Sequence, residues 1–95
     1  ACERLGSHDL SGCVLYASCE PCPMCLGAAL WSRDERVMFA GTRADAAAAG
    51  FDDAVFYDEL ERPLAERQVP LVPLLRDEAR AAFEAWDARD DRQIY

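Results

Sequence analysis

The sequence predicts an α/β fold built on a parallel strand–helix–strand unit. Residues 14–17 and 37–40 form two short apolar runs rich in strand-forming residues, with the unbroken hydrophobicity typical of strands in a parallel sheet. Between these runs, Leu26, Ala29 and Leu30 follow helical spacing. A helix between two parallel strands forms a right-handed crossover, so we expect both strands to lie side by side and to be buried on both faces.

The first residues predict the end of a helix. Residues 1–5 are followed by Gly6, and glycine commonly terminates a helix at this position. No initiator Met and no capping residue precede them. We therefore expect residues 1–95 to be the C-terminal part of a single domain whose first strands and helices are missing from this chain.

The second half predicts further helices and one weak strand. Residues 43–49 are alanine-rich and end at Gly50, which indicates a short helix, and residues 51–60 are helical or irregular. Residues 69–75 predict a strand, and two prolines confine it to a sheet edge. Asp77 is expected to cap a last helix with an apolar stripe. The stripe comprises Ala79, Ala82, Phe83 and Trp86.

The composition excludes several classes of function. The 95 residues carry 18 acidic and 10 basic side chains, a net charge of −8, which disfavours a nucleic-acid partner bound through its phosphates. No apolar run approaches the roughly 20 residues of a membrane helix, and no secretory signal is visible. Three of the five cysteines lie within seven residues, which indicates a reducing compartment, and we expect a cytoplasmic protein.

The clustered cysteines predict a metal or redox site. Cys22 and Cys25 lie three residues apart where a strand meets a helix, so their sulfurs face the same way. Free backbone N–H groups at a helix N-terminus stabilise thiolates, the form that binds zinc. Two sulfurs are insufficient alone, because a catalytic zinc needs three protein ligands and a water.

The cysteine motif alone is compatible with two kinds of site. The sequence CPMC at a strand-to-helix junction is typical of a thiol–disulfide centre like that of thioredoxin. The sequence PCPMC equally supplies the second half of the zinc-deaminase pattern, in which H-x-E precedes P-C-x-x-C.

A longer stretch carries a family resemblance. Between Leu15 and Asp53, the segments LYASCEPCPMCLGAALWSR and DAAAAGFDD resemble the cytidine-deaminase-like superfamily and, within it, the small bacterial guanine deaminases. The C-terminal FEAWDARDDRQIY resembles them more loosely. The resemblance implies a three-layer α/β sandwich, a Zn²⁺ cofactor and hydrolytic deamination of a free purine base, guanine to xanthine, with release of ammonia. It also implies a homodimer.

The resemblance assigns only part of the zinc site to this chain. In the family, one His and two Cys hold zinc, and a Glu two residues after the His transfers the proton. Cys22 and Cys25 match the sulfur ligands. No His-x-Glu pair is present, because the single histidine, His8, is followed by Asp9 and Leu10. The chain therefore lacks a catalytic acid/base, and we expect it to be inactive alone.

Four residues are expected at the purine base. The resemblance places Phe51 and Asp53 at the base and Trp31 near the pocket, although Trp31 also fits a helix core. One carboxylate can accept two adjacent donors, such as the N1–H and amine of guanine, which supports Asp53. Tyr95 belongs to a tail that, in relatives, closes over the active site of a neighbouring subunit.

Other functions remain open at this point. The absent His-x-Glu keeps a non-catalytic fragment possible, and the CPMC motif keeps a thiol–disulfide protein possible. Deamination of another nucleobase or nucleoside, or of tRNA adenosine, fits the same superfamily. The acidic charge disfavours the tRNA substrate.

Overall fold

The computed structural model describes residues 1–94. The chain forms two compact units, Ala1–Glu61 and a second that begins at Arg62. The elements of the first unit are α1 (Cys2–Leu5), β1 (Val14–Cys19), α2 (Pro23–Ser32), β2 (Arg36–Gly41), α3 (Arg43–Ala48) and α4 (Ala54–Glu61). The second unit contains a 3₁₀ turn (Leu64–Glu66) and α5 (Arg76–Asp87).

The two strands form the predicted parallel pair. In the register of β1 and β2, Val14 lies opposite Arg36 and Cys19 lies opposite Gly41. Helix α2 connects the strands, so the strand–helix–strand unit and the α/β class are confirmed. The carboxyl ends of both strands meet at one edge of the sheet.

The expected burial of both strand faces is wrong for this chain. Tyr16 of β1 is 79% exposed, and Leu15 and Phe39 are also exposed. Among the described residues, the buried apolar side chains are Leu10 and Ala29. Burial on both faces requires a covering layer on each side of the sheet, and the described elements leave much of both faces uncovered.

Helix α1 ends at the predicted glycine, and helix α3 begins with a capping motif. Helix α1 ends at Gly6, whose φ of 66° lies in the left-handed region that glycine adopts without strain. Helix α3 begins with a capping box, in which the Thr42 hydroxyl accepts from the Asp45 N–H and the Asp45 carboxylate accepts from the Thr42 N–H. The box makes Thr42 the N-cap, so α3 begins at Arg43.

The predicted edge strand at residues 69–75 is wrong. These residues form an irregular segment, although the Leu71 N–H donates to the Leu64 carbonyl at 3.0 Å. Pro70 and Pro73 have no N–H to donate, so no continuous ladder can form along this segment.

The expected cap of the last helix is also wrong. Helix α5 begins at Arg76, after Leu75 in a left-handed conformation with φ of 55°. Asp77 lies within the first turn instead of preceding it. Its charge there still interacts favourably with the helix dipole.

None of the described helices is long and apolar enough to cross a membrane.

Removing the capping hydroxyl of α3 should destabilise the first unit. We expect Thr42→Ala to lower the free energy of unfolding by about 1 kcal/mol, because the Asp45 N–H loses its acceptor. Thr42→Ser keeps the hydroxyl and is the matched control. Chemical denaturation of both variants measures the difference, and equal losses would show that the hydroxyl is not responsible.

The same box predicts an acid-range pH dependence. The backbone N–H of Thr42, followed by its hydroxyl, holds the pKa of Asp45 below its ordinary value of 3.8. Because the folded-state pKa is lowered, the stabilisation is present above 3.8 and is lost as the pH falls through the folded value. The difference in unfolding free energy between the wild type and Asp45→Asn should therefore shrink between about pH 5 and pH 2. A difference that stays constant across this range would contradict the assignment.

Candidate metal and substrate site

The two motif cysteines lie at the start of α2. Cys22 precedes the helix in an extended conformation, with φ −70° and ψ 169°, and Pro23 occupies the first helical position. The ring of Pro23 presets the helical φ, and the Leu26 N–H donates to the Cys22 carbonyl at 2.8 Å. Cys25 follows within the first turn. Residues 20–22, which join β1 to α2, form the cysteine loop.

The first turn of α2 makes the two thiols unequal. The Cys22 side chain makes no hydrogen bond of full capping geometry. Nevertheless, the Cys25 N–H, the Cys25 thiol and the Met24 N–H all lower the pKa of Cys22, in that order, against partial burial and the charge of Asp53. The hydrogen bond to Cys22 raises the pKa of Cys25, and the Cys22 charge adds to this effect. The backbone N–H groups of the first turn therefore favour a thiolate at Cys22.

The donor set fits part of a zinc site. Paired thiolates at one helix N-terminus are ligands that zinc prefers, and their geometry suits a shared ion. Among the described residues, no group of three or more His, Cys, Asp or Glu side chains is arranged to hold a metal. His8 therefore does not join Cys22 and Cys25. The chain supplies two sulfurs of a site that needs at least one further protein ligand.

A cavity of about 410 Å³ adjoins Cys22. Its lining includes Phe51 and Asp53, so the structure brings three of the predicted site residues together. The lining also includes Glu20 and Phe56, which the sequence had not assigned to substrate. Acidic and aromatic groups beside a thiol can accept hydrogen bonds from a flat ring and stack against it.

The two adjacent aspartates of this cavity have different roles. The Asp52 carboxylate accepts from the Ala54 N–H at 3.0 Å and so helps to begin α4. For the Asp53 carboxylate, no hydrogen-bond or ion-pair partner is found within residues 1–94. Asp53 is half-buried and remains open to a ligand.

The remaining predicted site residues lie elsewhere or are not described. Trp31 is 69% exposed and lines a different cavity, with Leu30 and Arg33. Cys25 shares a second cavity with Cys22 beside β1. Tyr95 lies outside the described residues.

Sequence reasoning missed two side chains that hold the cysteine loop. The Arg43 Nε donates to Glu20 Oε2 at 2.5 Å, and the Arg43 guanidinium lies 4.1 Å from the centroid of the Tyr57 ring. The Tyr57 hydroxyl donates to the Pro21 carbonyl at 3.0 Å. The hydrogen bond to Glu20 also raises the pKa of Arg43. The partners are 23 and 36 residues apart, so no local pattern could have revealed them.

Comparison with known proteins finds a matching family model and similar relatives. Residues 1–41 match the model of the cytidine and deoxycytidylate deaminase zinc-binding region. Guanine deaminase of Bacillus subtilis is 48% identical over 86 residues, which cover 90% of this chain and 55% of that protein. The resemblance to the cytidine-deaminase-like superfamily is confirmed. Zinc is accordingly the cofactor that the matched region implies.

The structural comparison agrees with the sequence comparison. The X-ray structure of guanine deaminase from Bacillus subtilis matches 99% of this chain and 60% of that chain, with a TM-score of 0.93 and 44% identity. This match confirms the cytidine-deaminase-like fold. A tRNA-specific adenosine deaminase of Bacillus subtilis is 54% identical over only 39 residues, 41% of this chain and 24% of that protein. The chain thus spans little more than half the length of its guanine deaminase relatives.

The two-sulfur donor set predicts weak zinc binding by the 95-residue chain. We expect a dissociation constant far weaker than that of a complete site, because a ligand is missing. Cys22→Ser should abolish the remaining binding, whereas Cys13→Ser, outside the motif, should leave it unchanged. Competition with a chromophoric chelator measures each affinity. Tight binding of one zinc per chain, or equal effects of both substitutions, would contradict this prediction.

Proposed function

We propose that this chain is part of a zinc-dependent hydrolase that deaminates a free purine base, converting guanine to xanthine and ammonia. The observation that carries the proposal is the open carboxylate of Asp53 in the cavity shared with Cys22. Extensive similarity to a guanine deaminase supports it, because that match spans 90% of the chain.

Hydrogen-bond chemistry favours guanine over other bases. Guanine presents its N1–H and its exocyclic amine side by side, and the two oxygens of Asp53 can accept both. Phe51 and Phe56 line the same cavity and provide ring faces for a planar base. Cytosine and adenine lack this adjacent pair of donors on one edge, so a carboxylate reads them less well.

Different residues of this chain would have different roles in the site. Cys22 and Cys25 would hold zinc, which supplies Lewis-acid activation of the attacking water when bound. Asp53 would fix the orientation of the base, and the aromatic side chains would exclude water from its faces. No His-x-Glu pair occurs in the 95 residues, so the proton transfer is not assigned to any of them.

The surroundings of the site support a small uncharged substrate. The net charge of −8 disfavours tRNA, and the tRNA-specific deaminase match covers less than half of the chain.

All five cysteines are free thiols, which fits a reducing compartment such as the cytoplasm. We propose a homodimer without nucleic-acid or membrane partners, supported by the many exposed apolar side chains of the first unit.

A thiol–disulfide function is the second candidate. The lowered pKa of Cys22 and the raised pKa of Cys25 resemble the inequality of a redox pair. The two functions make opposite demands on the thiols. A deaminase keeps both reduced on zinc, whereas a redox protein cycles between a dithiol and a disulfide without metal.

Replacing the open carboxylate should impair guanine turnover. In the complete protein, we expect Asp53→Ala to lower kcat/KM for guanine by roughly 30- to 1000-fold, because the two donors of the base lose their charged acceptor. Zinc content should not change, since Asp53 is not one of the proposed zinc ligands. Ammonia release and metal analysis, measured on the same preparation, provide the two readouts.

Asp52→Asn is the matched control for this experiment. It removes the neighbouring charge but keeps an oxygen that can accept from Ala54, so we expect guanine turnover within a few-fold of the wild type. Near-normal turnover of Asp53→Ala would overturn the assignment of Asp53. A zinc-free complete protein with a reversible Cys22–Cys25 disulfide would overturn the deaminase in favour of the redox function.

A further inference from the structure

We infer that Arg43 and Tyr57 are positioning residues that fix the cysteine loop in the geometry needed to bind zinc. The inference deepens the proposed function, because it takes Cys22 and Cys25 as zinc ligands. It concerns side chains that neither touch the sulfurs nor line the substrate cavity, and it stands on contacts between three separate elements.

The first contact fixes the loop before Cys22. Glu20 accepts from the Arg43 Nε at 2.5 Å, and the Arg43 backbone N–H reaches its second oxygen at 3.4 Å. The Glu20 side chain is only 22% exposed, so this ion pair is better shielded than an ordinary surface pair. Arg43 is the first residue of α3, where the Thr42 capping box fixes its backbone.

The second contact joins the cysteine loop to α4. The Tyr57 hydroxyl of α4 donates to the carbonyl of Pro21, the residue immediately before Cys22. The Tyr57 ring lies beneath the Arg43 guanidinium, at 4.1 Å, so the two anchors also hold each other. The Arg43 guanidinium contacts Glu20 and the ring together, and a guanidinium stacks on rings better than an ammonium group does.

The sheet supplies the third constraint. The Glu20 N–H donates to the Gly41 carbonyl at 2.7 Å, at the end of the ladder that pairs Cys19 with Gly41. The backbone and side chain of Glu20 and the carbonyl of Pro21 are therefore held by β2, α3 and α4 respectively. The two residues before Cys22 are therefore held by three contacts, and α2 constrains the residues after it.

A loop that is held in its binding geometry loses less entropy when it binds a metal. Residues that orient metal ligands typically contribute a factor of 10–100 to affinity. Arg43 and Tyr57 act through the backbone, so we expect the lower end of this range. Helix α4 follows Asp53 directly, so Tyr57 also couples the position of Cys22 to that of the base-binding carboxylate.

The test measures zinc affinity and stability separately in the complete protein. Arg43→Gln and Tyr57→Phe should each weaken zinc binding about tenfold in chelator competition. Arg36→Gln is the control, because Arg36 forms an exposed ion pair with Glu35 away from the loop. A merely structural role would lower the unfolding midpoint of the metal-free protein and leave zinc affinity unchanged. Combining Glu20→Gln with Arg43→Gln should add little to either alone, since both remove the same contact.

Each outcome decides the inference. If Arg43→Gln does not fold, Tyr57→Phe decides, because it removes a single oxygen. Zinc affinities within twofold of the wild type in the folded variants would overturn the positioning role, whatever the enzyme's substrate. Weakened zinc binding in a protein that does not deaminate guanine would support the positioning role and overturn the proposed substrate. A wild-type complete protein that binds no zinc would overturn both.

Discussion

The parallel pairing of β1 and β2 brings the cysteine loop and the start of α3 to one edge of the sheet. Because Cys19 lies opposite Gly41, both strands end at the same edge of the sheet, and the chain leaves both at one place. The segment after β1 is the cysteine loop, and the segment after β2 is the start of α3 with Arg43. In open α/β sheets, ligands bind beyond the carboxyl ends of the strands, and this site follows that rule.

The local parts of the fold could be predicted because local chemistry determines them. Apolar runs predicted both strands, and Gly6 marked the end of α1. Two expectations failed where the residues leave alternatives: residues 69–75 have strand-forming side chains but too few donors for a ladder, and Asp77 could cap α5 or enter its first turn. Burial of the strands could not be predicted, since it depends on layers that cover the sheet.

The sequence could predict those parts of the candidate site whose residues lie close together in the chain. Cys22 and Cys25 occur in one motif, and the resemblance singled out Asp53 and Phe51, which the structure places in a common cavity with Cys22. The sequence could not show that Asp52 and Asp53 make different contacts, because that difference rests on the hydrogen bond from the Ala54 N–H to the Asp52 carboxylate. Arg43 and Tyr57 escaped prediction because only the folded chain brings them to the cysteine loop.

The charges around the cavity favour a neutral ligand over an anionic one. Glu20 is neutralised by Arg43, and a bound zinc would neutralise the thiolates of Cys22 and Cys25. The remaining carboxylates are those of Asp52, which accepts from the Ala54 N–H, and Asp53, for which no hydrogen-bond or ion-pair partner is found among the described residues. A neutral base with two adjacent donors gains from these charges, whereas a phosphate group carries up to two negative charges and would be repelled by them. Because the ion pair with Arg43 neutralises Glu20, the two aspartates remain as the negative charges of the cavity, and they favour a neutral ligand with adjacent donors over an anionic one.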